Sequence, residues 1–159
     1  DSPEWQQTNS KNMRNFIRKW GTNVQHDRYM MPIVSPKYDI GFVVHRIHNY
    51  QILYELEPWC SVIYGKCPKE MPAMYIRDEQ SNTSIDLTSR VQNYDNEKNN
   101  DILVEFDATH LTRENFQFIT QLPHMLMDSG EIGEMEFDIF KITINGLKTY
   151  EGELIKCDV

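Results

Sequence analysis

The chain has 159 residues, within the range of one folded domain, and its 40% apolar content is enough to build a core without staples. Aspartate and glutamate number 24 against 16 lysines and arginines, a formal net charge of -8, so nonspecific attraction to phosphate backbones or anionic lipid is disfavoured and nucleic acid is not an expected partner. No apolar run approaches the ~20 residues of a membrane span, and the opening DSPEWQQTNSKN is too polar and acidic for a signal peptide, so the chain reads as soluble.

Ser2, Pro3 and Glu4 form a helix start, because serine accepts orphan amides, proline fits the first helical position and glutamate suits the positive end. Trp5, Met13, Phe16, Ile17 and Trp20 then recur at helical spacing, Lys11, Arg14, Arg18 and Lys19 form a basic outer face, and Gly21 supplies the stop. That basic face is expected to be solvated. Residues 22–37 lose periodicity and read as a connector with anchors at Tyr29, Met30 and Met31, which divides the chain into residues 1–37 and an α/β domain over 38–159.

YDIGFVVH (38–45) has the composition of a buried strand. Asn49 caps a short helix, YQILYELE, with Ile52, Leu53 and Leu56 on its inner stripe and Pro58 at its end. CSVIYG (60–65) and AMYIRDE (73–79) read as the second and third strands, and residues 83–93 as a short helix. After the exposed loop NYDNEKNN comes DILVEFD (101–107), the clearest strand, followed by a helix capped by Thr112, bent at Pro123 and closed by Gly130. EMEFDIFKITIN (134–145) reads as one long strand ending at Asn145-Gly146, and TYEGELIKC as either the return strand of a C-terminal antiparallel hairpin, which is preferred, or a terminal helix. The alternation implies an α/β fold: a mostly parallel Rossmann-like sheet flanked by helices, with parallel neighbours on both sides of Ile102 to Phe106.

Ligands of open α/β sheets collect beyond the carboxyl ends of the strands, where Glu105, Asp107 and His110 lie. Glu105 and Asp107 share a facing and could approach one magnesium or manganese ion, with His110 joining from the loop as a catalytic assistant. The plainer alternative is that Asp107 caps the turn, Glu105 points to solvent and His110 is a surface residue. His45 and His48, in HRIH, follow the first strand towards the same edge, and Asp78 with Glu79 ends the expected third strand. His45, His48 and Asp78 are therefore candidate substrate-binding residues. No Gly-rich phosphate loop follows the first strand, and no GxSxG elbow is present. Cys60, Cys67 and Cys157 are odd in number and match no zinc-knuckle spacing, which favours reduced thiols and a cytoplasmic setting.

NMRNFIRKWG (12–21) resembles the close of the catalytic domain in family 2 glycosyltransferases, where an asparagine, a phenylalanine and a lysine-tryptophan-glycine end the last helix. The resemblance implies an adjoining glycosyltransferase domain of GT-A type, with a sugar-nucleotide pocket and a metal-binding Asp-x-Asp. Glu105-Phe106-Asp107 departs from that motif in its first residue. The stretch NDILVEFDATHLTRENFQFITQLPHMLMDSGEIG is similar to the later half of a class I methyltransferase domain that lacks its glycine-rich cofactor loop, implying a degenerate domain. The expected function is an accessory, non-catalytic domain of a glycosyltransferase that binds a sugar nucleotide, a glycan or a protein partner. The alternatives are a self-contained metal-dependent glycosyltransferase, using manganese or magnesium with a nucleotide sugar, or a methyltransferase-like enzyme, in which Glu105 or Asp107 is base or metal ligand, and a structural assembly module.

Overall fold

The computed structural model describes residues 2–23, 25–33 and 36–150. Helix α1 (Pro3–Trp20) begins and ends as the sequence predicts: Ser2 Oγ accepts from the Trp5 amide, and Gly21 at φ 80° closes the last turn through its N–H to the Ile17 carbonyl. Its buried side is not the expected one. Trp5, Met13 and Trp20 are exposed, and Ile17 is buried together with Arg18.

The basic face is accordingly not a solvated surface at Arg14 and Arg18. Arg18 Nη2 donates to Glu57 Oε1 (2.5 Å) and Glu79 Oε2 (2.7 Å), while Arg14 forks onto the Glu79 carboxylate at 2.5 and 2.9 Å. Arg90 Nε (2.8 Å) and the Tyr75 hydroxyl (2.6 Å) complete the Glu57 carboxylate. A guanidinium is tolerated inside a protein only when paired and hydrogen-bonded, and these distant partners supply that. Helical periodicity carries no sign of it. Among the described residues, the one buried side-chain nitrogen or oxygen without a hydrogen bond is Thr22 Oγ1, so the network is internally satisfied.

The connector holds a short antiparallel ladder, Gln25–His26 against Pro32–Ile33, turned by Asp27, whose Oδ1 accepts the Tyr29 and Met31 amides. Tyr29, Met30 and Met31 are exposed rather than acting as anchors.

The main sheet contains β1 (Ile40–His45), β2 (Val62–Gly65), β3 (Val91–Asn93), β4 (Ile102–Asp107), β5 (Gly133–Phe137) and β6 (Phe140–Ile144). Their order across the sheet is β3-β2-β1-β4-β6-β5. β1 to β4 pair in parallel, whereas β6 runs antiparallel to both β4 and β5. The run Ile102 to Phe106 therefore has a parallel neighbour on one side only, because 134–145 is not one strand. It folds back at Asp138, which takes a left-handed φ of 53°, into a tight hairpin.

Helices α2 (Gln51–Leu56) and α4 (Arg113–Ser129) match the sequence reading, with Asn49 Oδ1 accepting the Gln51 amide and Thr112 forming a reciprocal capping box with Asn115. AMYIRDE, expected as a strand, lies in helix α3 (Met71–Glu79). Pro72 suits a first turn, and Tyr75 and Glu79, four residues apart, are buried on one face, a helical rather than an alternating pattern. Residues 83–93 divide into a 3-10 turn, Leu87–Ser89, and strand β3, because Asp86 caps the turn after which the chain extends. At the far end, Thr149–Tyr150 pairs antiparallel with Lys37–Tyr38, and the remainder of the expected return strand lies outside the described residues.

The two faces of the sheet differ. Phe42, Val44, Ile63, Val104, Phe106, Phe140 and Ile142 join Leu53, Leu56, Tyr75, Ile119, Leu122 and Leu126 from the helices in one core. At about 1.5–3 kcal/mol per large apolar side chain, this face supplies most of the driving force. The opposite face carries Gly41, Val43, His45, Tyr64, Glu105 and Asp107. The segment from Tyr94 to Asp101 returns across it, with Tyr64 Oη donating to Asn100 Oδ1 and Asn100 Nδ2 to Asp39 Oδ1, each at 2.6 Å. Gly41 is required there, since a Cβ would stand 2.6 Å from Asn100 Oδ1.

Candidate site at the carboxyl ends of β1 and β4

From β1 the chain steps through β2 to β3 on one side, and from β4 it proceeds to the β5–β6 hairpin on the other. The carboxyl ends of β1 and β4 are thus the point where strand order reverses, the usual position of a ligand crevice in an open α/β sheet. In register, Val43 is paired with Glu105 and His45 with Asp107, so His45, Glu105 and Asp107 share the face away from the core.

His45 reaches diagonally, and its Nε2 lies 2.6 Å from Glu105 Oε2. Arg46 turns back through a left-handed φ of 53° and pairs with Asp107. Asp107 Oδ1 also accepts the Thr109 amide (2.9 Å) and hydroxyl (2.6 Å), capping the 3-10 turn Ala108–His110. The Thr109 hydroxyl, joined by Arg46 and the Thr109 amide, holds the Asp107 carboxyl well below the usual carboxylate range.

The neighbouring strand ends complete the edge. Tyr94, just after β3, has its ring centroid 5.0 Å from that of His45. Lys66, just after β2, and Lys98 place their ammonium groups 5.6 and 4.9 Å from the Tyr94 centroid. Arg46 is paired with Asp107, and the Lys98 ammonium also donates to the Tyr94 and Asn96 carbonyls. The edge thus gathers Arg46, Lys66 and Lys98 near Glu105 and Asp107, with Asp95 and Glu97 in the loop between Tyr94 and Lys98.

Of the residues singled out in the sequence, Glu105, Asp107 and His45 are brought together. His48 is exposed beside them, its Nδ1 3.3 Å from the Arg46 carbonyl. His110 ends the capped turn, where its carbonyl accepts from Asn115 Nδ2, and its exposed imidazole has no hydrogen-bond or ion-pair partner among the described residues. Asp78 ends α3 rather than a strand, and it accepts from the Tyr50 hydroxyl on the helical layer, raising the Tyr50 pKa. Glu79 belongs to the buried network around Arg18.

Arg46, Lys66, Tyr94 and Lys98 were not anticipated. Arg46 stood in plain view between two histidines, but the parallel register that brings it to Asp107 is a tertiary fact.

Glu105 and Asp107 are each engaged by a cationic or imidazole partner, and among the described residues no group of three or more His, Cys, Asp or Glu is arranged to hold an ion. No helix among the described residues is long and apolar enough to cross a membrane. Comparison with protein-family models, with curated proteins and with solved structures finds no match to this chain.

Proposed function

We propose that this chain is a non-catalytic α/β binding domain of glycosyltransferase type, whose β1–β4 edge takes a nucleoside-diphosphate sugar. The observation that carries this reading is the gathering at the switch point of Arg46, Lys66 and Lys98 with the hydrogen-bonding side chains of Glu105 and Asp107. Arg46, Lys66 and Lys98 neutralise the diphosphate, and Arg46 has the forked geometry suited to phosphate oxygens. Glu105 and Asp107 accept hydroxyls of the sugar, with His45 holding Glu105 in place. The NMRNFIRKWG likeness supports an adjoining glycosyltransferase domain as partner. A cytoplasmic setting belongs to this reading and rests on the odd number and spacing of the cysteines in the sequence.

Binding rather than catalysis is favoured because neither carboxylate is uncommitted. The test is thermal denaturation with a panel of uridine, guanosine and cytidine diphosphate sugars, with and without manganese. Ligand at about 100 times Kd stabilises by roughly 2.7 kcal/mol, or about 5–10 °C for a chain of this size. The expected result is a shift for one nucleotide class that manganese does not alter and that Arg46→Ala removes. No shift, or a shift only with manganese, refutes the reading.

A further inference from the structure

A groove of about 730 Å³ lies between α1, α2 and α4, on the helical side of the molecule and separate from the strand edge. Such a volume is typical of ligand-binding clefts. Its floor is aromatic and apolar: Trp59 and Phe116 meet edge to face, with centroids 6.2 Å apart, and Tyr54 and Met13 extend the surface. The half-buried Trp59 and Tyr54 keep part of their surface open to the groove.

Around this floor stand Asn9 from α1, Gln51 and Glu55 from α2, and Arg113 from α4. All four are exposed, and none has a side-chain hydrogen bond or ion pair among the described residues. This contrasts with Arg14 on the same wall, which is locked onto Glu79. Two amides and one charge of each sign balance to zero. These four side chains carry no net charge between them and offer many donors and acceptors.

Flat apolar faces bordered by hydroxyls are the chemistry of a carbohydrate, whose C–H faces stack on aromatic rings while its hydroxyls meet planar amide, carboxylate and guanidinium groups. An amphipathic helix would cover the floor equally well. A helix would satisfy these four polar groups only where its own side chains matched them, whereas a sugar presents hydroxyls all around its ring, and each group left unpaired would cost about 1–3 kcal/mol.

We infer that the groove floored by Trp59 and Phe116 is a binding site for a neutral oligosaccharide, distinct from the nucleotide-sugar edge and independent of it.

Trp59 is the reporter, since Trp5 and Trp20 lie on the exposed side of α1. In a Trp5→Phe, Trp20→Phe background, Trp59 fluorescence is titrated with the neutral pentasaccharides of glucose, xylose and N-acetylglucosamine, with a sulfated pentasaccharide, and with a basic amphipathic helical peptide. The expected result is a saturable change with at least one neutral oligosaccharide, weakened about tenfold or more by Gln51→Ala and by Arg113→Ala, both exposed positions that leave the fold intact. Equal binding by these variants, a response confined to the sulfated sugar or the peptide, or no response to any probe overturns the inference. Nucleotide binding at the edge bears on neither outcome.

Discussion

Replacing Glu57 by glutamine keeps the shape of the side chain and removes its charge. The Glu57 side chain is fully buried and accepts from Arg18, Arg90 and Tyr75, so the variant leaves two guanidinium groups facing a neutral amide. In the native network three arginines (14, 18 and 90) meet two glutamates (57 and 79); the variant doubles the uncompensated charge. Removing one partner of a buried pair costs about 3–5 kcal/mol, a large share of a typical total of 5–15 kcal/mol. With a urea m-value of about 2 kcal/mol/M, the midpoint should fall by roughly 1.5–2.5 M. Because Arg18 anchors α1, helical signal should be lost together with tertiary signal. A midpoint within about 0.5 M of the parent would refute the claim that these charges are mutually dependent and dry.

Acid should act through the same groups. Burial alone would raise the Glu57 and Glu79 pKa values, but hydrogen bonds and charge from the arginines outweigh it, and both lie below the ordinary carboxylate value in the folded chain. Their contribution is therefore complete above the unfolded pKa of about 4.3 and is lost as pH falls through the depressed folded values. Urea midpoints measured from pH 6 to pH 2.5 should decline below pH about 4.3, and the gap between the parent and Glu57→Gln should narrow there. Thr112→Ala removes the hydroxyl that accepts the Asn115 amide, while the residue-112 amide keeps its bond to Asn115 Oδ1, and should cost about 1 kcal/mol in denaturant titration. Gly41→Ala drives a methyl against Asn100, which Tyr64 and Asp39 hold fixed, and should cost about 1–3 kcal/mol, partly recovered by Asn100→Ala.

Most of the architecture was legible from local patterns. Ser2 and Gly21 bound α1, Thr112 starts α4, and the apolar runs ending at His45 and Asp107 are the two central strands. The readings that failed were those in which tertiary pairing overrides local composition. AMYIRDE is apolar enough for a strand, yet its Tyr75 and Glu79 are claimed by Arg18 and Glu57 from other elements. In EMEFDIFKITIN the reversal at Asp138 and Ile139 has no glycine or proline to mark it. At the site, the shared facing of Glu105 and Asp107 followed from strand alternation. Their partners did not, because Arg46 and Tyr94 come from loops whose positions depend on the order of strands across the sheet.

The central claim is that the β1–β4 edge binds a nucleoside-diphosphate sugar without a resident metal. It is tested most directly by amide chemical-shift mapping of the isotope-labelled chain during titration with uridine diphosphate glucose and the corresponding guanosine and cytidine sugars, all in chelator. The account predicts saturable shifts for one of them, centred on His45 to His48, Gly65 to Cys67, Tyr94 and Glu105 to His110. Absence of shifts from all three, or shifts centred away from these strand ends, would contradict it.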